Sequence, residues 1–183
     1  MKVLNKNIIA LILFSVISTS FYGQTKSVAS FFNDGVKAQN SEKWYEASQN
    51  FMEVLKINNA YSDAWFHLAQ CSYQLSEFDL VLEQLEQAEK FAKNDNAINN
   101  LRGMTYIAMG KFDEARKVFL DIIKNTPNDV EARFGLAELD LFDGKVTGAE
   151  KQNSEALKRQ SKNRKSLLSL AIVSAQLGKT ENA

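Results

Sequence analysis

At 183 residues the chain has the size of one domain or one repeat array. Its 22 basic and 22 acidic side chains cancel, which excludes the basic stripe needed to offset phosphate, so no nucleic-acid partner is expected. A hydrophobic share of 45% with a single proline excludes a disordered chain and points to a well-buried helical one.

The N-terminus differs from the rest. Lys2 and Lys6 precede an apolar run from Ile8 to Ile17, and Ser18, Thr19 and Ser20 follow it. A basic start, an apolar core of about ten residues and a small-residue exit describe a secretory signal peptide. The run is shorter than the roughly 20 residues that span a bilayer. Residues 1–23 are therefore read as a signal peptide cut after Ser20 or Gly23, with no integral membrane span after cleavage. The style of the signal places the protein outside the cytoplasm, in the periplasm or cell envelope of a bacterium. Cys71 is the only cysteine, so an internal disulfide is excluded and stability must come from packing.

From residue 28 onward, apolar residues recur at three- and four-residue spacing, as in WFHLAQCSYQL and VLEQLEQAEKF, the signature of amphipathic helices. Short turns (QNSEK, SE, GK, DGK) divide helix pairs, and polar links (NNAYSD, KNDN, NTPND, QSKN) with capping Asn, Asp and Ser separate one pair from the next. The units run about 28–61, 62–95, 96–129 and 130–163, and a partial unit occupies 164–183.

Steps of 34 residues keep residue character through the array. Gly35, Ala69, Gly103, Ala137 and Ala171 are all small, as expected where two helices cross closely. Ala47, Val81, Ala115 and Ala149 form a second series, and Trp44, Phe78, Phe112 and Val146 a third. Phe51, Leu85 and Phe119 are followed by Asn153, a polar break that predicts looser packing of the fourth unit's second helix.

Catalytic parts are missing. His67, the only histidine, shares a helical face with Cys71, but zinc wants three or four ligands, and Cys71 falls where a small apolar residue packs. Without a second histidine, a nucleophile beside a base or a phosphate-cradling glycine loop, neither an enzyme, a metal site nor a cofactor is expected. The basic run Lys158 to Lys165 reads as solvated surface near a helix end.

The repeat resembles the tetratricopeptide repeat, whose pattern is W-x2-L-G-x2-Y, then A-x3-F, then P. The third unit carries it as Gly103-x2-Tyr106, Ala115-x3-Phe119 and Pro127. The second carries Trp65-x2-Leu68-Ala69, with Ser72 in place of tyrosine, and the first carries Phe31, Gly35, Ala47-x3-Phe51 and Asn59. The fourth keeps Leu136-Ala137 and Ala149 but has Asn153 and Ser161 for the aromatic and the proline. The resemblance spans about residues 28–178 and implies an all-α, right-handed α-solenoid of 34-residue helix-turn-helix repeats.

By the same resemblance, the first helix of each repeat lines a concave groove. In register, those positions are Phe32, Val36 and Gln39 in the first unit and Phe66, Gln70 and Tyr73 in the second. The third supplies Asn100, Met104 and Ile107, the fourth Phe134, Glu138 and Leu141, and the partial unit Leu168 and Ile172. Each aromatic among them has two readings, groove wall or packing between adjacent helices. Some family members clamp a partner's C-terminal carboxylate with Lys, Arg and Asn; only Asn100 matches that set, which disfavours a clamp here. The expected function is an exported, non-catalytic protein-interaction scaffold whose groove binds an apolar peptide or helix. The alternative is a structural assembly arm. It would self-associate through the apolar partial unit, around Leu168 and Ile172, or dock a C-terminal domain beyond residue 183.

Overall fold

The computed structural model describes residues 26–159 and Ala175, so the signal segment, Leu168 and Ile172 lie outside the described residues. Within them, helices follow one another: α1 Val28–Asn40, α2 Trp44–Ile57, α3 Ser62–Gln74, α4 Phe78–Phe91, α5 Asn96–Ala108, α6 Phe112–Asn125, α7 Val130–Phe142 and α8 Val146–Arg159. First helices begin at 28, 62, 96 and 130 and second helices at 44, 78, 112 and 146, both at steps of 34. The described part is an all-α helical repeat solenoid.

Helix ends follow from local chemistry. Ser27, Asp95 and Asp129 cap α1, α5 and α7 by accepting backbone N–H groups with their side chains. The equivalent of these caps before α3 is Tyr61, which makes no side-chain cap. The expected capping by the NNAYSD link therefore fails. Tyr61 instead packs its ring against Phe32, centroids 5.3 Å apart, and Ser62 Oγ donates to the Ala88 carbonyl. Contacts within each repeat stand in place of the cap.

The turns inside the four hairpins share one geometry. A left-handed residue stands at Glu42, Ser76, Gly110 and Gly144, 34 residues apart. The next residue in each (Lys43, Glu77, Lys111 and Lys145) donates its N–H back to a carbonyl five residues earlier, closing the helix end. Glycine reaches this conformation freely, whereas it costs other L-residues about 1 kcal/mol or more. Ser76, with φ of 62° and an exposed side chain, is expected to gain roughly 0.5–1 kcal/mol when changed to glycine. Chemical denaturation checks this; a lower midpoint for Ser76→Gly contradicts it.

The core repeats with the fold. Fully buried Phe51, Leu85 and Phe119 occupy one position in three successive second helices, and Asn153, also fully buried, occupies it in the fourth. The small series meets these side chains rather than a helix backbone. A Cβ on Gly35 would lie 2.8 Å from the Phe51 ring, and one on Gly103 would lie 2.5 Å from the Phe119 ring. Glycine thus stands where the ring is phenylalanine, and alanine (Ala69, Ala137) in the two repeats whose second helix carries Leu85 or Asn153 at that position.

The first helices of successive repeats touch one another, α1 with α3, α3 with α5 and α5 with α7, while successive second helices make no such contact among the described residues. The first helices therefore form the tight, concave side. That arrangement positions the site.

Candidate functional site: the concave groove

The concave side holds a cavity of about 970 Å³ that runs from the first repeat to the start of the fourth. Gln39 and Asn40 of α1 and Trp44 of α2 bound it at one end. Phe66, His67, Gln70, Tyr73 and Gln74 of α3 and Asn96, Asn100, Leu101 and Met104 of α5 form its body. The link Thr126–Asp129 and the first turn of α7, Val130 and Glu131, close the other end.

Of the groove positions expected from sequence, the structure brings Gln39, Phe66, Gln70, Tyr73, Asn100 and Met104 together around this cavity. Phe32 and Val36 pack instead on the first core cluster. The Phe32 ring meets Phe51 at 5.6 Å and His67 at 5.3 Å, where burial against aromatic neighbours outweighs exposure in the groove. Ile107 packs on the core of the third repeat and Leu141 on that of the fourth. Phe134 is half-buried and Glu138 exposed, both on the concave helix α7 but outside the cavity wall.

Four side chains, Gln39, Phe51, His67 and Gln70, tie the first two repeats together. The His67 ring stacks on Phe51, centroids 5.1 Å apart and planes 16° from parallel. Its Nδ1 lies 2.8 Å from Gln39 Oε1, and Gln39 Nε2 donates to Gln70 Oε1 at 3.0 Å. That orientation of Gln39 puts the imidazole proton on Nδ1. Burial lowers the His67 pKa below its ordinary value, and the Asp63 charge and a hydrogen bond with Gln70 only partly oppose this.

The sign follows from a lowered base. His67 is neutral in the fold and charges more readily in the unfolded chain, so its contribution is intact above the unfolded value of 6.5. It is lost as pH falls from there to the lower folded value. Since this is the chain's only histidine, stability is expected to drop between pH 7 and pH 5 in the wild type and much less in His67→Gln. Urea denaturation across that range reads it, and parallel curves for the two proteins refute it.

The other end is organised by Asp129. Its Oδ1 accepts from the Ala132 N–H at 2.9 Å and from Asn100 Nδ2 at 3.0 Å, and its Oδ2 accepts from Asn96 Nδ2 at 3.1 Å. Asn100 is only 8% exposed, and its Oδ1 carries no hydrogen bond. Between the two ends, Tyr73 meets Phe78 edge-on at 5.8 Å. Burial and the nearby Glu138 charge both raise the Tyr73 hydroxyl pKa, keeping it a neutral donor.

Sequence reading missed Asn40, Trp44, His67, Gln74, Asn96 and Asp129 as wall residues. Asn96 was detectable in principle, since it lies one helical turn before Asn100 on the same face. Cys71 is fully buried and burial pushes its thiol up to about 11, leaving it an inert packing group. Among the described residues no three His, Cys, Asp or Glu side chains gather as metal ligands, and no helix is long and apolar enough to cross a membrane.

Residues 100–163 match the family model of the tetratricopeptide repeat. No curated protein matches the chain. Among solved structures, a thermophilic tetratricopeptide-repeat protein of Thermus thermophilus is similar at 17% identity, with 88% of each chain covered and a TM-score of 0.72. A tetratricopeptide-repeat protein of Parabacteroides merdae is similar at 17% identity, covering 92% of this chain and 66% of that one, with a TM-score of 0.72. A mutant form of MamA is similar at 20% identity, covering 85% of this chain and 91% of that one, with a TM-score of 0.60. At these identities the likeness is one of fold.

Proposed function

We propose that this chain, a solenoid of tetratricopeptide repeats, is an exported, non-catalytic scaffold whose concave groove takes a mainly apolar segment of a partner protein. One observation carries the reading: Phe66, Tyr73 and Met104 from two repeats face one cavity of about 970 Å³, with hydrogen-bonding side chains between them. A concave, largely apolar surface with a few placed polar groups is the general form of a binding site. Repeat arrays present such surfaces because each unit buries one face against its neighbours and leaves the inner face open. The export component rests on the basic-apolar-small pattern of residues 1–23. An intact mass for the protein in the native host that begins after Ser20 or Gly23 supports it, and a retained Met1 refutes it.

The groove component is tested by crosslinking in the native host. A photoreactive residue replacing Tyr73 is expected to capture a partner protein, whereas one replacing Tyr45, 69% exposed on the second helix of the first repeat, is not. Equal capture at both sites overturns the groove reading. Crosslinks only between copies of this chain favour an assembly arm instead.

A further inference from the structure

We propose that His67 is an acid-sensitive pin between the first two repeats: mild acid loosens α1 and α2 against α3, and with them the end wall of the cavity formed by Gln39, Asn40 and Trp44. The junctions between repeats differ in what holds them. Arg102 of α5 pairs with Glu89 of α4 at 2.8 Å, and Arg116 of α6 pairs with Asp140 of α7 at 2.8 Å, so the second and third junctions are clasped by ion pairs. Among the described residues no ion pair joins α1 or α2 to α3. The side-chain hydrogen bonds there, between His67 and Gln39 and between Gln39 and Gln70, both run through Gln39. Around them the imidazole stacks on Phe51 at 5.1 Å and meets Phe32 and Phe66 edge-on at 5.3 and 6.0 Å. One ring of α3 thus reaches both helices of the preceding repeat.

The groups that face the ring make it responsive. From α1 come Phe32 and Gln39 and from α2 comes Phe51, none of them titratable, while Tyr61 of the following link lies behind Phe32. Asp34 and Lys37 of α1 line a separate depression with Lys26 and Lys43, and on α2 Glu46 pairs with Lys43 and Glu53 with Lys56 at the surface. On α3 itself, the exposed Asp63 acts on the ring, but its charge and the Gln70 hydrogen bond offset only part of the cost of burying an imidazolium. A looser junction returns that cation to water, so proton uptake and loosening favour each other. Because His67, Gln39 and Gln70 also line the cavity, protons reach the ring without prior unfolding. Histidine is the side chain that ordinarily changes charge between pH 7 and pH 5, and the chain holds no other, so the response is confined to this junction. The apolar cluster that α3 shares with the first repeat, Leu68 and Cys71 with Phe51 and Val54, persists in acid and keeps the change to a loosening.

The test follows amide hydrogen exchange in the mature full-length chain at pH 7, 6 and 5, with rates corrected for the intrinsic effect of pH. Protection in α1, α2 and α3 is expected to fall about fivefold or more between pH 7 and pH 5, while α6 and α7 change little. The fall should track the titration of the imidazole followed by proton NMR in the same samples. His67→Gln should hold its protection across the range, and His67→Arg, a fixed cation, should show the loosened pattern already at pH 7, with helicity retained by circular dichroism. The NMR titration keeps the wild-type series decisive where a variant does not fold. A loss shared equally by all repeats, a loss that survives in His67→Gln, or an imidazole that titrates without change in α1 and α2 overturns the pin. Protection that rises in acid does so too, because the Phe51 face then holds the imidazolium as a cation–π partner. None of these outcomes bears on what the groove takes, which the crosslinks at Tyr73 read separately.

Discussion

Phe119→Ala is expected to cost about 3–5 kcal/mol, the largest loss available from a single residue of the third repeat. Its ring is fully buried and stands between two first helices, that of its own repeat and that of the next. A Cβ on Gly103 would come within 2.5 Å of the ring from one side, and a Cβ on Gly135 within 2.4 Å from the other. Removing the ring opens a cavity against both helices at once. Since domains are stable by only about 5–15 kcal/mol, the third and fourth repeats should lose cooperative folding.

The same geometry predicts a change of sign. In the native background Gly103→Ala gains about 1 kcal/mol of helix propensity but overpacks a ring that cannot retreat, at a cost of about 1–3 kcal/mol, so the net effect is destabilising. In a Phe119→Leu background the obstructing ring atoms are gone and the same change should stabilise. The second repeat already shows that combination in Ala69 and Leu85, both fully buried. Urea denaturation of the four proteins decides the matter. A Gly103→Ala that stabilises the native background would falsify the wedge.

Arg116→Ala is the second large effect. Arg116 of α6 donates to Asp140 Oδ1 at 2.8 Å and to Asp143 Oδ2 at 3.0 Å, clasping the third repeat to the fourth. The Asp140 side chain is only 12% exposed, and Gly148 of α8 lies so close that a Cβ there would sit 2.7 Å from its Oδ2. Truncating Arg116 leaves that carboxylate without a cation in a place water reaches poorly. Breaking a fully buried pair costs about 3–5 kcal/mol. The guanidinium is 27% exposed, so solvent screening reduces the expected loss to about 1–3 kcal/mol. Because the clasp joins two repeats, hydrogen exchange should rise first in α7 and α8. Arg116→Lys keeps the charge but not the two-pronged geometry and should lose less. A uniform rise across all repeats, or none, would contradict the clasp.

Much of this architecture is visible in the residues themselves. The 34-residue step of Gly35, Ala69, Gly103 and Ala137 predicts the register of the hairpins, because only a small residue fits where each of those helices meets its partner. Gly110 and Gly144 mark their turns as glycine does where the backbone must be left-handed, with φ of 73° at both. The equivalent turns at Glu42 and Ser76 carry no such mark, although the same helix-closing hydrogen bonds, from Lys43 to Ala38 and from Glu77 to Ser72, accompany the left-handed residue there. Tyr61 is a similar case, giving up a capping position for contact with Phe32.

The groove was legible only in part. The resemblance, read in register, implied Gln39, Phe66, Gln70, Tyr73, Asn100 and Met104 as groove positions. It said nothing of whether Phe32 turns into the core, or of the pairing of Asn96 and Asn100 with Asp129. Periodicity is a property of one helix and its hydrophobic face, so the sequence alone determined the repeat and its hairpins, while the seating of Gly35 and Gly103 against the Phe51 and Phe119 rings came from the tertiary structure. Side-chain direction at the concave wall depends on neighbours roughly one repeat away in the chain, brought together by stacking. Only the tertiary structure therefore decided that the groove is walled by carboxamides, carries acids without lysine or arginine among its described lining, and draws Phe32 inward.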